Sequence, residues 1–213
     1  MISVFDLDGV LSRSDTMAAL VLARLRRRPW LVGSVGLLAL AAAIVGAESR
    51  LRARCNRAIV HIVLAGVSEE EYLQLADTVA RRLASRDGNA PEPVLTAVRR
   101  AMEEGAVVVT TATERWLAQR YLAEIGIAGV HVHASQLRFL ADGARFAAHN
   151  VGEAKVASFR ASFPDTGIAE LHTDSATDLP LARMSAETVL VRPSSRTLRA
   201  FTRAGVEFRV AEV

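Results

Sequence analysis

The chain begins Met1-Ile-Ser-Val-Phe-Asp-Leu-Asp-Gly-Val10, a short apolar run that ends in two carboxylates two residues apart. The apolar residues before Asp6 predict a buried strand. Carboxylates at the C-terminal end of such a strand lie where open α/β sheets bind their ligands. Because neighbouring negative charges repel, Asp6 and Asp8 need a cation or a shared proton, and the natural cation for carboxylate oxygens is Mg²⁺. The sequence therefore predicts a magnesium site at this strand end.

From residue 91 onward, strand and helix patterns alternate, which is typical of a parallel α/β sheet. Strands are expected at residues 106–110, 130–133, 168–172, 188–191 and 206–210, with helices at 93–104, 113–125, 152–162, 179–184 and 195–204. A β-hairpin is expected over residues 136–150, with Asp142-Gly143 as its turn. The predicted fold is a Rossmann-like parallel sheet flanked by helices.

Residues 12–88 carry helical periodicity without strands. Asp15 is positioned to cap a helix over residues 16–27, and residues 51–64 are helical in pattern. Ser68 and Glu71 form a capping box for a helix that reaches residue 85. We therefore expect an all-helical cap of residues 12–88 inserted after the first strand, and a catalytic core of residues 1–11 and 89–213.

An apolar segment at residues 30–47 lies between two arginine clusters within residues 24–57. Its length is at the lower limit for crossing a membrane. Arginines on both sides give no orientation under the positive-inside rule, and a single span would separate Asp6 and Asp8 from every later motif. Two alternatives remain: a buried helix or hairpin within the cap, or a segment on a membrane surface with its arginines against anionic headgroups.

Composition narrows the function classes. The 213 residues are 51% hydrophobic and 23% charged, which suits a folded core. A net charge of +3 and an aromatic content of 5% argue against a nucleic-acid partner. Cys55 is the only cysteine, which excludes a disulfide framework and a cysteine-based zinc site. Because Asp6 and Asp8 occupy the place of a signal peptide, we expect a cytoplasmic protein, peripheral to the inner face of the membrane under the second alternative.

Later strand ends supply partners for the first two carboxylates. Thr110 and Thr111 follow the strand from residue 106, and Asp174 and Asp178 follow the strand from residue 168. Since the C-terminal ends of parallel strands share one edge, these groups are expected to converge on Asp6 and Asp8.

These residue types predict hydrolysis of a phosphomonoester. Asp6 is the expected nucleophile, which would form an aspartyl phosphate, and Asp8 is the expected general acid and base. Mg²⁺ is expected to be held by Asp6, the backbone carbonyl of Asp8 and Asp174. Asp178 either ligates the metal or orients the groups around it.

A second group of residues is expected to bind the phosphate itself. Lys155 is the only lysine among 26 basic residues, which suggests a need for a compact point charge. It lies near the start of a predicted helix, within reach of the strand ends. The hydroxyl of Thr111 is expected to donate to a phosphate oxygen, with backbone groups of Gly9 and Ala112 beside it.

With these motifs, the chain resembles the haloacid dehalogenase-like (HAD) phosphatases, in the subgroup (subfamily IB) that includes phosphoserine phosphatase. The resemblance covers nearly the whole chain and is carried by Phe5-Asp-Leu-Asp-Gly-Val10, Val107-Val-Val-Thr-Thr-Ala-Thr113, Gly152-Glu-Ala-Lys155 and Asp174-Ser-Ala-Thr-Asp-Leu-Pro180. It implies a Rossmann-like core, a cap in the family's first cap position and Mg²⁺-dependent phosphomonoester hydrolysis. The chain departs from the family at Val10, often Thr, and at Thr173, often Gly; neither change removes a catalytic group.

The substrate class stays open. The arginine clusters around the apolar segment resemble the layout of HAD members that act on membrane lipid phosphates, such as phosphatidylglycerophosphatase, and of HAD domains fused to prenyltransferases. That layout implies a lipid phosphate. Asp15 could instead meet the amino group of a small soluble phosphate such as phosphoserine, although helix capping alone would explain it. A phosphoryl-transfer enzyme is a further alternative, whereas a dehalogenase would not need the second acid, Asp8.

Overall fold

A seven-stranded sheet organises the fold, and the computed structural model describes residues 2–44 and 50–211. The strands are β1 (Ile2–Asp6), β2 (Ala106–Glu114), β3 (His131–Leu140), β4 (Gly143–Ala148), β5 (Ile168–Thr173), β6 (Ser185–Val191) and β7 (Arg209–Ala211). They lie in the order β4-β3-β2-β1-β5-β6-β7, so β1 is central. All neighbours are parallel except β3 and β4, which form an antiparallel hairpin.

Helices cover the sheet and form the cap. The α-helices of the described residues are α1 (Thr16–Arg27), α2 (Val32–Ile44), α3 (Arg50–Val63), α4 (Glu69–Ala84), α5 (Glu92–Glu104), α6 (Arg115–Glu124), α7 (Glu153–Ser162), α8 (Leu179–Ala182) and α9 (Ser195–Ala204). Short 3₁₀ helices lie at Pro29–Leu31 and Ala176–Asp178. Helices α1 to α4 follow β1 without an intervening strand, which confirms the predicted Rossmann-like fold with a helical cap.

Burial on both faces explains why β1 occupies the centre of the sheet. Val4 packs with Val108 on one face, and Phe5 packs on the other face. Fully burying such side chains stabilises a fold by roughly 1.5–3 kcal/mol each. The core around Phe5 continues into the cap through Leu20 and Tyr72. Because cap and sheet share this core, the boundaries of the cap at residues 12 and 88 stay a prediction.

The predicted end of the second strand is wrong, because β2 continues to Glu114. The Oγ1 atom of Thr111 accepts a hydrogen bond from the backbone N of Thr113 at 3.0 Å, so it stabilises the strand end. The helix cap is Glu114, which accepts a hydrogen bond from the backbone N of Trp116 at 3.0 Å. The helix predicted from residue 113 therefore begins at Arg115.

Three other strand boundaries also differ from the prediction. The strand at residues 130–133 and the first strand of the hairpin are one strand, β3, because Ser135 pairs with Glu114 of β2. Strand β6 begins at Ser185 rather than at residue 188, and β7 spans Arg209–Ala211 rather than residues 206–210. Strand β6 begins earlier because Ser185 pairs with Ile168 of β5, and β7 begins later because its first paired residue is Arg209, opposite Val189 of β6.

The predicted caps are confirmed, whereas the predicted turn at Asp142-Gly143 is one residue too late, because Ala141 and Asp142 connect the strands and Gly143 pairs with Leu140. Asp15 accepts a hydrogen bond from the backbone N of Ala18 at 2.8 Å, and Ser68 with Glu71 forms the capping box of α4. Gly143 follows the hairpin turn with φ of +121°. A Cβ atom there would lie 2.4 Å from the backbone oxygen of Leu64, so glycine allows the hairpin to meet the cap.

The apolar segment forms a helix that is only partly buried. Val35 and Ala42 of α2 are buried, whereas Leu37, Leu40 and Ile44 are 70%, 61% and 78% exposed. Residues 45–47 of the predicted segment lie outside the described residues. Where the chain is described, no single helix is long and apolar enough to cross a membrane. Only α1 and residues 29–44 taken together have the length and composition of a span, and they are bent by 119°.

Candidate active site

The end of β1 places Asp6 beside the ammonium group of Lys155. One oxygen of Asp6 accepts a hydrogen bond from the backbone N of Leu7 at 2.8 Å, and the other accepts one from Lys155 Nζ at 3.0 Å. Lys155 Nζ also lies 2.9 Å from Oδ2 of Asp178, which accepts a further hydrogen bond from Thr173 Oγ1 at 2.8 Å. One ammonium group thus bridges two buried carboxylates, which leaves a net negative charge.

Burial and the charges of neighbouring side chains together determine the pKa values of these groups. Burial raises the pKa of Asp6 well above its usual range, although the charge of Lys155 opposes this effect. Burial disfavours the ammonium of Lys155, but the carboxylates of Asp178 and Asp6 outweigh it and raise its pKa. Burial, followed by the charge of Asp178, raises the pKa of Asp174 to about 6. A site with more carboxylates than cationic side chains stabilises a bound cation.

Asp8 is held by two threonines rather than by Lys155. Its Oδ1 atom accepts a hydrogen bond from the backbone N of Thr16 at 2.9 Å, and its Oδ2 atom accepts one from Thr113 Oγ1 at 2.7 Å. Burial, followed by the charge of Asp15, raises the pKa of Asp8 to about 7, while the bonds from Thr113 and Thr16 oppose that rise. A carboxyl group that titrates near neutrality can both donate and accept a proton.

Gly9 allows the loop after β1 to lie against Asp174. Its φ is +83°, and a Cβ atom at this position would lie 2.2 Å from Cγ of Asp174. Any other residue would therefore strain the loop and displace that carboxylate. The guanidinium of Arg192, just after β6, donates a hydrogen bond to the backbone oxygen of Gly9 at 2.8 Å. Arg192 itself has a left-handed backbone, with φ of +48°.

Most of the predicted site residues border one cleft, here called the strand-end cleft, with a volume of about 330 Å³. They are Asp6, Asp8, Gly9, Thr111, Ala112, Lys155 and Asp174. Asp178 is fully buried and reaches the site through Lys155, so it does not border the cleft. The sequence had left open whether Asp178 ligates a metal or orients other groups, and its position favours the second role.

Several residues of the site were not foreseen. Arg13, Val151, Ser175 and Thr177 also border the strand-end cleft. Arg13 lies only four residues after Gly9, so its position in the same loop could have indicated that it is near the site. Nothing in the sequence distinguishes Arg192 from the other arginines. Its contact with Gly9 joins residues 183 positions apart, which only the tertiary structure can show.

The donor groups of the cleft suit Mg²⁺. Asp6 and Asp174 carry carboxylate oxygens, and the backbone of Asp8 offers a carbonyl, all of them hard ligands of the kind that Mg²⁺ binds. In residues 2–44 and 50–211, there is no group of at least three His, Cys, Asp or Glu side chains arranged to hold a metal ion. The four predicted carboxylates therefore do not surround a single metal position. A site with two carboxylates still fits, because Mg²⁺ keeps several waters.

A second cavity, here called the cap cavity, adjoins the cleft and has a volume of about 420 Å³. Asp8, Asp15 and Ala112 border both spaces. The other residues around the cap cavity come mainly from α1, α2 and α3, with Phe146 and His149 contributed by the hairpin and the segment after it.

The fold and the cleft define an α/β enzyme with an acidic site at the carboxyl edge of a parallel sheet. The sequence matches the model of the haloacid dehalogenase-like hydrolases over residues 3–183. The chain therefore belongs to the haloacid dehalogenase-like hydrolase family, as its motifs predicted. No match is found among curated protein sequences.

Solved structures share this fold at low sequence identity. A protein of unknown function from Bordetella pertussis Tohama I has a TM-score of 0.72 and 19% identity, with 99% of this chain and 97% of that chain covered. A phosphoserine phosphohydrolase-like protein from Francisella tularensis subsp. tularensis SCHU S4 has a TM-score of 0.67 and 12% identity, with 99% and 95% covered. A phospho-aspartyl intermediate analogue of phosphoserine phosphatase has a TM-score of 0.62 and 12% identity, with 99% and 93% covered.

Proposed function

We propose that this protein is a Mg²⁺-dependent phosphomonoester hydrolase that acts through an aspartyl phosphate on Asp6. The observation that carries the proposal is the different surroundings of the two carboxyl groups after β1. Asp6 lies 3.0 Å from the ammonium of Lys155, whereas Asp8 is bound by the neutral hydroxyl of Thr113 at 2.7 Å. A carboxylate whose ionised form is favoured by a nearby ammonium and a titratable acid are the two groups that this reaction needs.

The proposed reaction has two steps. An oxygen of Asp6 attacks phosphorus, and the bond from phosphorus to the leaving alcohol breaks as Asp8 donates its proton to that alcohol. Asp8 then accepts a proton from water, which attacks the phosphorus of the aspartyl phosphate. The second step releases inorganic phosphate and restores both carboxyl groups.

Other residues of the cleft bind the phosphate. Lys155 offsets the negative charge of Asp6 and the phosphate oxygens, and Asp178 fixes the position of Lys155. Because Thr111 Oγ1 accepts a hydrogen bond from the backbone N of Thr113, its own proton is left for a phosphate oxygen. The backbone N–H of Ala112 completes the proposed phosphate site. The N–H of Gly9, which the sequence also suggested, already donates to the backbone oxygen of Ser12 at 2.7 Å, so Gly9 contributes by letting the loop approach Asp174.

Asp6, Asp174 and the backbone carbonyl of Asp8 would hold the Mg²⁺ ion. When bound, Mg²⁺ would neutralise charge on the phosphate and on Asp6. The approach of Asp174 to the loop at Gly9 supports this assignment, because it brings the carboxylate to the end of β1.

Two substrate classes remain candidates. A lipid phosphate, with peripheral membrane contact through residues 24–57, is supported by the exposed apolar side chains of α2 and by Arg54 and Arg57, which are exposed on α3. A small soluble phosphate is supported by Asp15 at the cleft and by the phosphoserine phosphatases that share the fold. Asp15 already caps α1 through Ala18, which weakens that alternative.

Phosphate release from an aryl phosphate tests the proposed function. Wild-type protein should release phosphate only with Mg²⁺, and Asp6→Asn should abolish turnover. Asp8→Asn should slow it by roughly 10²–10⁴-fold, the usual contribution of a general acid. The exposed Asp165→Asn is a matched control that should behave as wild type. Turnover that survives Asp6→Asn would contradict the proposal, and phosphoryl transfer to an added alcohol in place of phosphate release would favour a transferase.

A further inference from the structure

The cap cavity is continuous with the proposed reaction site. Asp8, the proposed acid, borders both the strand-end cleft and the cap cavity, as do Asp15 and Ala112. Asp8 would donate its proton to the leaving alcohol, so the organic part of the substrate must lie on the side of Asp8. The cap cavity is the space on that side.

The residues around the cap cavity are mostly apolar. Met17, Val21 and Leu25 of α1 border it, and α3 contributes Ile59 and Val60. Among the residues whose side chains the structure describes, no arginine or lysine borders it, so none of them directly offers a cation to a substrate carboxylate there. A long apolar group, in contrast, would gain free energy by leaving water.

One end of the cap cavity is open. Leu22 borders it and is 56% exposed, and Ala18 and Ala39 are also exposed. Ala39 directly precedes Leu40, which belongs to the exposed apolar side of α2. The opening therefore lies next to the surface that we propose for membrane contact, and a hydrocarbon chain could pass from a bilayer to the cleft without crossing a polar surface.

The volume of the cap cavity sets the length of chain that it can hold. At about 30 Å³ for a group the size of a water or methylene, 420 Å³ holds about fourteen such groups. That volume also falls within the range of about 300–1,000 Å³ that is usual for small-molecule sites.

We infer that the cap cavity holds the hydrocarbon chain of the substrate, so that the preferred substrates are phosphomonoesters of long-chain alcohols. This inference rests on the proposed phosphatase function of the adjoining cleft. Ala39, at the opening, is then a specificity-determining residue, because a large side chain there would obstruct the path of the chain.

Monoalkyl phosphates of increasing chain length, assayed below micelle-forming concentrations with Mg²⁺, test the inference. The value of kcat/KM should rise with each added methylene, by up to about fourfold if the group is fully buried at ~0.8 kcal/mol. It should level off at about fourteen carbons, the number that the volume of the cap cavity holds. Ala39→Trp should remove this dependence, so that the ratio of kcat/KM for dodecyl phosphate to that for butyl phosphate falls towards one. Ala43→Trp, on the same helix but outside the cap cavity, should retain the wild-type dependence.

A binding measurement separates chain recognition from turnover. Calorimetric titration of Asp6→Asn should show tighter binding of dodecyl phosphate than of butyl phosphate, and Ala39→Trp in the same background should remove the difference. A rate independent of chain length, or a dependence that Ala39→Trp does not alter, would overturn the inference while phosphatase activity stands. Absence of turnover with every substrate, the aryl phosphate included, would overturn the proposed function and this inference with it.

Discussion

Lys155 is bound by two carboxylates, and this arrangement explains why a chain rich in arginine has a lysine here. Its Nζ atom lies 3.0 Å from Asp6 and 2.8 Å from Asp178, and the side chain is 3% exposed. A compact ammonium can donate to Asp6, Asp178 and a phosphate oxygen from one point, whereas a planar guanidinium would need more space. The single lysine in the sequence therefore pointed to a residue that lies at the strand ends, and its role in binding phosphate stays a prediction.

Arg192 is the residue whose role the sequence could not reveal, and it provides a test at the residue scale. Arg192→Gly would relieve the left-handed backbone but remove the hydrogen bond to Gly9, so the loop after β1 should become less well positioned. We expect kcat to fall roughly 10- to 100-fold, which corresponds to the 1.5–3 kcal/mol of a hydrogen bond from a charged group.

Thermal unfolding and a conservative variant control this experiment. Arg192→Gly should leave the Tm close to that of wild type, since the strain that it relieves offsets part of the lost bond. Arg192→Lys should restore part of kcat, and Arg196→Ala, a nearby exposed arginine, should have no effect. An unchanged kcat for Arg192→Gly would show that Gly9 and Asp174 do not depend on this contact.

At the scale of single elements, the sequence was most informative where side chains alternate between two buried faces. Val4 and Phe5 of β1 predicted a buried strand, and both are fully buried in the structure, on opposite faces of the sheet. The prediction failed at the end of β2, where Thr111 and Glu114 are polar but buried by contacts with other elements. Glu114 also accepts a hydrogen bond from Tyr72 of the cap at 2.6 Å, a partner 42 residues away that no local pattern could reveal.

Strand β5 carries an ion pair that makes the stability of the sheet depend on pH. His172 Nε2 lies 3.0 Å from Glu170, and Arg209 of β7 binds the same carboxylate. The close approach of His172, followed by the contact and charge of Arg209, lowers the pKa of Glu170 from 4.5 to about 2. A lowered pKa stabilises the folded state at pH values above 4.5, and that contribution is lost as the pH falls towards 2.

Glu170→Gln should therefore destabilise the protein at neutral pH but not in acid. Because the group is partly solvated, we expect a loss of about 1 kcal/mol at pH 7, measured by urea denaturation. The difference from wild type should shrink between pH 4.5 and 2. Glu187→Gln, at the paired and exposed position of β6, is the control and should not lower stability. A loss that persists unchanged at low pH would point to packing rather than charge.

At the scale of the whole molecule, cap and sheet form one core, and the exposed side of α2 remains uncovered. The sequence located this apolar segment but could not tell whether it is buried, because hydropathy does not report which side of a helix has a partner. Val35 lies in the shared core while Leu37 is 70% exposed, so one side of the helix is buried in the cap, and membrane contact through the other side stays a prediction.

Vesicle binding tests the proposed membrane contact. The wild-type protein should sediment with vesicles of anionic lipid, and less so at high salt, because arginines near the apolar surface are screened. Replacing both Leu37 and Leu40 by serine should reduce sedimentation several-fold. Met102→Ser, which removes a partly exposed apolar side chain from α5, should not. Loss of a dimer in the double variant, without any vesicle binding by wild type, would show instead that a second copy covers α2.

The central claim is that Asp6 becomes phosphorylated, and chemical trapping of that intermediate tests it most directly. Protein mixed with substrate and Mg²⁺, quenched in acid and reduced with borohydride should contain homoserine at residue 6, detected by mass spectrometry of the N-terminal peptide. Asp8→Asn should show the same product, because Asp8 acts on protons rather than on phosphorus. Reduction at Asp8 or at any other residue, or no reduced residue during active turnover, would contradict the assignment of Asp6 as the nucleophile.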